Sequence, residues 1–200
     1  MRLFDFLASG NGYKVRLLLT QLGIPFERVE IDILKGETRT PEFLRKNPNG
    51  RIPVLEVAPD KYLAESDAIL FYLAEGTPFL PSDRWLRAET LQWFFFEQYS
   101  HEPNIATSRF WLKYFPIDEE KRAALATKQK LGYAALDVME RHLSGRRYFV
   151  GDAYSVADIA LYAYTHVAHE GGFDLDRYPQ IEAWLERVRA QPRHIPITHA

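Results

Sequence analysis

The sequence predicts an α/β domain followed by an all-helical domain. Two observations carry this. Short β-rich runs alternate with short helical ones through about the first eighty residues, and beyond a breaker-rich stretch the strand signals stop while long helical patterns take over. The predicted division is 1–76 for the α/β domain, 77–84 for a linker and 85–200 for the helical domain.

Leu3, Phe4 and Phe6 suggest a buried strand. Val15, Leu17, Leu18, Leu19 and Leu22 give a helical apolar face that stops at Gly23. Phe26, Val29, Ile31 and Ile33 approximate a second strand. Thr40-Pro41-Glu42-Phe43 reads as a helix start, because threonine caps well and proline is tolerated at the first helical position. Val54–Val57 and Tyr62–Ala64 read as strands joined by the Ala58-Pro59-Asp60-Lys61 turn, and Ser66–Glu75 as a helix. The order is β-α-β-α-β-β-α. Gly76-Thr77-Pro78 and Leu80-Pro81-Ser82-Asp83 make the linker. Helices then run from about Trp85 to Phe115 with a kink at Pro103, from Asp118 to Leu143, from Val156 to about His169 and from Ile181 to Ala190. Ser155 and Asp158 form an acidic capping box at the start of the third of these, a structural feature with no catalytic role assigned to it.

Composition narrows the function. With 25 Lys+Arg against 27 Asp+Glu, the net charge of -2 offers no general attraction to nucleic acid or to an anionic membrane. The apolar stretches are too short for a bilayer span and the start lacks a signal-peptide core, so a cytoplasmic location is expected. There is no cysteine, so if thiol chemistry occurs here the sulfur belongs to a ligand.

The segment from Ala8 to Arg16 joins the first strand to the first helix. A dinucleotide fingerprint would need a third glycine where Val15 stands, and a P-loop would need Gly-Lys-Ser/Thr, which Lys14 and its neighbours do not supply. A third explanation is a hydroxyl, Ser9, and an amide, Asn11, at a helix N-terminus, where the dipole and open N–H groups favour a nearby anion. An N-cap and turn residue with no ligand is the plain alternative.

The two-domain pattern, together with Asn47-Pro48-Asn49-Gly50-Arg51-Ile52-Pro53-Val54-Leu55, Glu65-Ser66-Asp67-Ala68-Ile69 and the late capping box, resembles the cytosolic glutathione transferase superfamily over nearly the whole chain. The resemblance implies a thioredoxin-like first domain, a cis Ile52-Pro53 bond, and a γ-glutamyl site at Glu65 and Ser66. A cis bond there would present the Ile52 amide and carbonyl for pairing with an extended peptide. It further implies that Arg51, otherwise a solvated turn residue, meets the glycyl carboxylate, and that Thr38 stands where relatives often carry a histidine or another polar donor. The spacing of Ser9 to Val15 looks like that of serine-type theta and related bacterial classes, while Ser9-Gly10-Asn11-Gly12 resembles the Thr-Pro-Asn-Gly of the nu class. Ser9 is therefore the first candidate to stabilise the glutathione thiolate, and Asn11 the second.

Trp93, Phe94, Phe95, Phe96, Tyr99, Phe110, Trp111, Tyr114 and Phe115 form an aromatic set read as core or subunit interface. By resemblance, Tyr99 and Trp111 are candidates for contacting an apolar co-substrate, and Gln98 and His101 for crossing a homodimer interface to the γ-glutamyl ammonium. His166 and His169, with no third ligand at recognisable spacing, are not assigned a metal. The expected function is glutathione-dependent conjugation of a small apolar electrophile, with glutathione as co-substrate and no metal. Glutathione-dependent reduction of disulfides or peroxides is the alternative enzymatic reading, and a non-catalytic transferase-like scaffold is the alternative of another class.

Overall fold

The structure is a computed structural model and describes residues 1–199. It divides into two compact units, Met1–Thr77 joined by a tail that begins at Pro192, and Pro78–Gln191. That tail packs with the first unit, a placement that the helical reading of 85–200 does not anticipate.

In the first unit β1 (Arg2–Asp5), α1 (Gly10–Leu22), β2 (Glu27–Glu30), α2 (Pro41–Lys46), β3 (Val54–Ala58), β4 (Lys61–Ala64) and α3 (Ser66–Ala74) follow in the order the alternation predicts. The sheet runs β2-β1-β3-β4, with β1 parallel to β2 and antiparallel to β3, and β3 antiparallel to β4. Leu3 sits opposite Leu55 across the β1–β3 ladder, and α1 packs against α3. On the other face of the sheet, Phe4 and Val54 close over Phe43 of α2. This alternation of Leu3 and Phe4 between faces follows from the period of two along a strand.

Two elements end earlier than their patterns suggest. Phe6 lies past β1, because its carbonyl accepts the Ser9 N–H at 2.8 Å and turns the chain into α1. Ile33 belongs to a single 3-10 turn, Ile33–Lys35, rather than to β2: Asp32 accepts the N–H groups of Leu34 and Lys35, and Gly36 takes a left-handed φ of 77°. Local capping overrides the apolar alternation there.

The second unit holds α4 (Arg84–Phe96), α5 (Glu102–Tyr114), α6 (Glu119–Leu143), α7 (Val156–Thr165) and α8 (Pro179–Arg189). The kink expected at Pro103 is a widened π turn over Glu97–His101, between α4 and α5. Proline lacks an N–H and its ring crowds the carbonyl four residues back, so the preceding turn opens while Pro103 itself rests in the first turn of α5. α7 stops at Thr165, and Ala168–Gly171 forms a separate 3-10 turn rather than extending the helix to His169.

Candidate functional site

The first turn of α1 gathers the features that could meet an anion. Ser9 is its N-cap with extended backbone angles, and its Oγ accepts the Gly12 N–H at 3.3 Å. An oxygen used as an acceptor in this way still has its own proton to donate, so the hydroxyl can serve a second, external acceptor. No acidic side chain lies in this turn to compete for the site.

Why the chain is glycine at position 12 is clear from space. A Cβ there would fall 1.5 Å from Asp5 Oδ1, so the end of β1 and the start of α1 approach too closely for any side chain. Asp5 is fully buried, and burial pushes its carboxyl up to about 6 against the opposing pull of Arg16, whose Nε donates to Asp5 Oδ2 at 2.9 Å.

Asn11 is half-buried in the same first turn, and its Oδ1 lies 3.5 Å from the Ser66 hydroxyl at the start of α3. Beneath them is Lys14, fully buried, whose ammonium donates to Ser66 Oγ at 3.2 Å and to Asp67 Oδ1 at 3.0 Å. The buried cation therefore joins the N-termini of α1 and α3. Glu65, the residue before α3, is exposed and adopts φ 66° and ψ 113°. A non-glycine residue in that region costs about 1–3 kcal/mol, and such strain recurs at ligand-binding positions.

The Ile52-Pro53 bond is cis. Arg51 is exposed, and the loop that carries it is fixed by Asn47, which accepts the Asn49 N–H at 3.0 Å and donates to the Arg51 carbonyl at 2.8 Å. Thr38 is buried, with its carbonyl behind Gly50, and belongs to the packed base of the loop.

The candidates of the second unit separate. Tyr99 is 88% exposed and, with Phe96, Pro103, Leu131 and Val138, lines a groove of about 530 Å³ that does not include Trp111. Gln98 is half-buried and donates to Glu97 at 2.8 Å. His101 corrects the expectation that it could cross to a second subunit: it is fully buried, with Nε2 2.9 Å from the Thr165 hydroxyl, because the π turn directs it inward. His166 points its Nδ1 at the Tyr162 carbonyl, 2.8 Å away.

Sequence reasoning missed Lys14, Asp67, Asp5 and Arg16. A signal was present, since α1 is buried nearly all round, and charges in such a helix have no solvated face to occupy.

Comparison with known proteins identifies the family. Residues 1–75 match the family model for the glutathione S-transferase N-terminal domain and residues 104–192 that for the glutathione S-transferase C-terminal domain. A solved glutathione S-transferase from Pseudomonas fluorescens is 56% identical with a TM-score of 0.97, covering 99% of this chain and 98% of its own. The disulfide-bond oxidoreductase YfcG of Escherichia coli is 31% identical over 194 residues, 94% of this chain and 89% of that protein. The glutathione transferase URE2P8 of Phanerochaete chrysosporium, solved with oxidized glutathione, is 27% identical with a TM-score of 0.84, covering 96% of this chain and 90% of its own. The chain belongs to the glutathione S-transferase family, and its first unit is the thioredoxin-like domain of that fold.

Proposed function

We propose that the first unit binds glutathione with its sulfur at Ser9 and that the enzyme delivers the thiolate to a small, largely apolar electrophile. The observation that carries this is the Ser9 cap, a hydroxyl that among the described residues accepts from the Gly12 N–H at the N-terminus of α1 and keeps its own proton to donate. A donated hydrogen bond and the helix dipole both stabilise the anion over the thiol, so the sulfur's pKa falls and more of it is reactive at neutral pH. The thiolate forms the new carbon–sulfur bond while the leaving group departs with its electron pair. In this reading Ser66 and the α3 N-terminus receive the γ-glutamyl carboxylate, Glu65 the ammonium, the Ile52 backbone the cysteinyl unit and Arg51 the glycyl carboxylate, with Thr38 backing the Arg51 loop. Glutathione is the co-substrate and no metal takes part.

Tyr99 and the groove beside it are the proposed apolar co-substrate contact, with Trp111 peripheral. We infer a homodimer, supported by the exposed Phe95 of the helical unit, with Gln98 as the remaining candidate to reach across. A cytoplasmic role in detoxification is part of this reading; no described helix is long and apolar enough to cross a membrane.

Reduction of glutathione mixed disulfides is the second reading, favoured by Asn11 in the first turn of α1, two residues past Ser9, and by the likeness to YfcG. Glutathione attacks the mixed disulfide, oxidized glutathione forms, and the released thiol takes the proton. Parallel assays with an aryl halide and a mixed glutathione disulfide separate the two. Absence of glutathione binding at millimolar concentration would leave only a scaffold. Ser9→Ala is expected to raise the pKa of bound glutathione's thiol, read from thiolate absorbance, and to lower kcat/KM about a hundredfold while affinity changes little. An unchanged absorbance titration would remove Ser9 from the mechanism.

A further inference from the structure

The tail that begins at Pro192 ends its course against α1, and the contacts it makes are concentrated on two buried residues just behind Ser9. Tyr13 is fully buried and donates its hydroxyl to the Ile195 carbonyl at 2.7 Å, with His194 Nε2 3.2 Å away. Arg16 is 1% exposed and donates to Asp5 Oδ2 at 2.9 Å, the Leu7 carbonyl at 2.7 Å, the Ile197 carbonyl at 3.0 Å and the His199 carbonyl.

A guanidinium offers five N–H donors in a rigid plane and accepts nothing, so each buried donor needs an acceptor. Here the acceptors come from the end of β1, from the turn two residues before Ser9, and from the tail. The same Asp5 that Arg16 holds fills the space a Gly12 side chain would need, and Gly12 is the donor to Ser9 Oγ. One planar cation thus fixes both sides of the turn that presents the Ser9 hydroxyl. The tail is suited to hold it: Ile195 is 8% exposed, and Pro192 and Pro196 on either side restrict its backbone, which lowers the entropy lost on ordering.

We propose that the tail from Pro192 is a brace for thiol activation, with Arg16 as the positioning residue that transmits it to the Ser9 turn. This rests on the reading of Ser9 as the group that meets the sulfur. The tail touches no reacting atom. It keeps the first turn of α1 in one geometry, so the hydroxyl need not reorganise when the thiolate forms.

The test uses the full chain with Ile195→Ser, which loosens the tail without touching Asp5 or Arg16, Tyr13→Phe as a milder second variant, and Ile195→Val as the conservative control. Amide exchange at Gly12 and Tyr13, whose N–H groups bond Ser9, is followed relative to the α2 amides, together with the thiolate absorbance titration of bound glutathione and the pH profile of kcat/KM. The expected result is selective acceleration of exchange in Ile195→Ser and Tyr13→Phe and a rise of about half a unit in the thiol pKa, a roughly threefold smaller thiolate fraction below that pKa. Ile195→Val should match the wild type. Unchanged exchange at Gly12 and Tyr13 overturns the brace, whatever Ser9→Ala does. Faster exchange with an unmoved thiol pKa, when Ser9→Ala moves it, overturns its part in activation. Should Ser9→Ala leave the pKa where it was, the Ser9 reading fails on its own and the exchange ratio alone decides whether the tail braces the turn.

Discussion

Two helices of this protein begin with a serine N-cap, and the two caps have opposite fates. Ser155, ahead of α7, is buried in a complete capping box. Asp158, three residues on, accepts its backbone N–H at 2.9 Å and its hydroxyl at 3.1 Å, and also accepts from the Phe149 N–H at 3.1 Å and Trp184 Nε1 at 2.9 Å. Ser9, ahead of α1, has glycine at the equivalent position and is half-exposed. The acid of the box is missing because Asp5, from the neighbouring strand, already occupies the space its side chain would take. The first cap is closed on the protein's own groups and stabilises. The second is left open at the end of a helix dipole, where an outside acceptor can complete it. The same residue type at the same helix position is closed off or left open according to what stands three residues later.

Breaking the closed cap should have the largest effect. Asp158→Ala leaves the donors of Ser155, Phe149 and Trp184 buried without their acceptor, and a loss of at least about 3 kcal/mol is expected in urea unfolding. A variant within about 1 kcal/mol of wild type would show that water replaces the carboxylate. Gly12→Ala forces a methyl into the Asp5 carboxylate and should cost about 2–3 kcal/mol, with the damage centred on the Asp5–Arg16 pair. Near-neutral stability would mean that β1 and α1 can part more readily than their packing implies.

The pH dependence sharpens the comparison. Burial pushes the carboxyls of Asp5 and Asp158 up to about 6 from an ordinary value of 3.8. A folded-state pKa raised in this way means that the native protein holds protons the unfolded chain has released, so these groups favour folding most below about 4 and the contribution is lost as pH rises through about 6. The urea midpoint should fall across that window from these two groups, and Asp158→Asn, whatever its absolute stability, should flatten the fall. An identical slope in wild type and variant would place the titration elsewhere. The smallest stability effect belongs to the open cap. Ser9→Ala removes one capping bond and should cost about 1 kcal/mol or less, alongside the large loss of activity proposed above.

Much of the fold was legible in the sequence because its signals are local. The apolar face ending at Gly23, the Thr40-Pro41 start, the capping box and the crowding before Pro103 each act within a turn or two, and each appears near where its chemistry places it. The candidate site was half legible. Ser9, Asn11, Glu65 and Ser66 are marked by their places at helix starts, but the helical period does not report that Lys14 lies under Ser66 or that His101 turns inward at a widened turn.

What the sequence by itself determined is the element order of the α/β unit, the helical character of the rest, and the residue types available at the turn into α1. Only the tertiary structure decided which charges are buried, what stands opposite Gly12, and that residues more than 180 positions away close over Tyr13 and Arg16. The reason is physical: capping and periodicity are set by neighbours along the chain, whereas a buried guanidinium is satisfied by whatever carbonyls the fold brings to it, and that choice is absent from any local pattern.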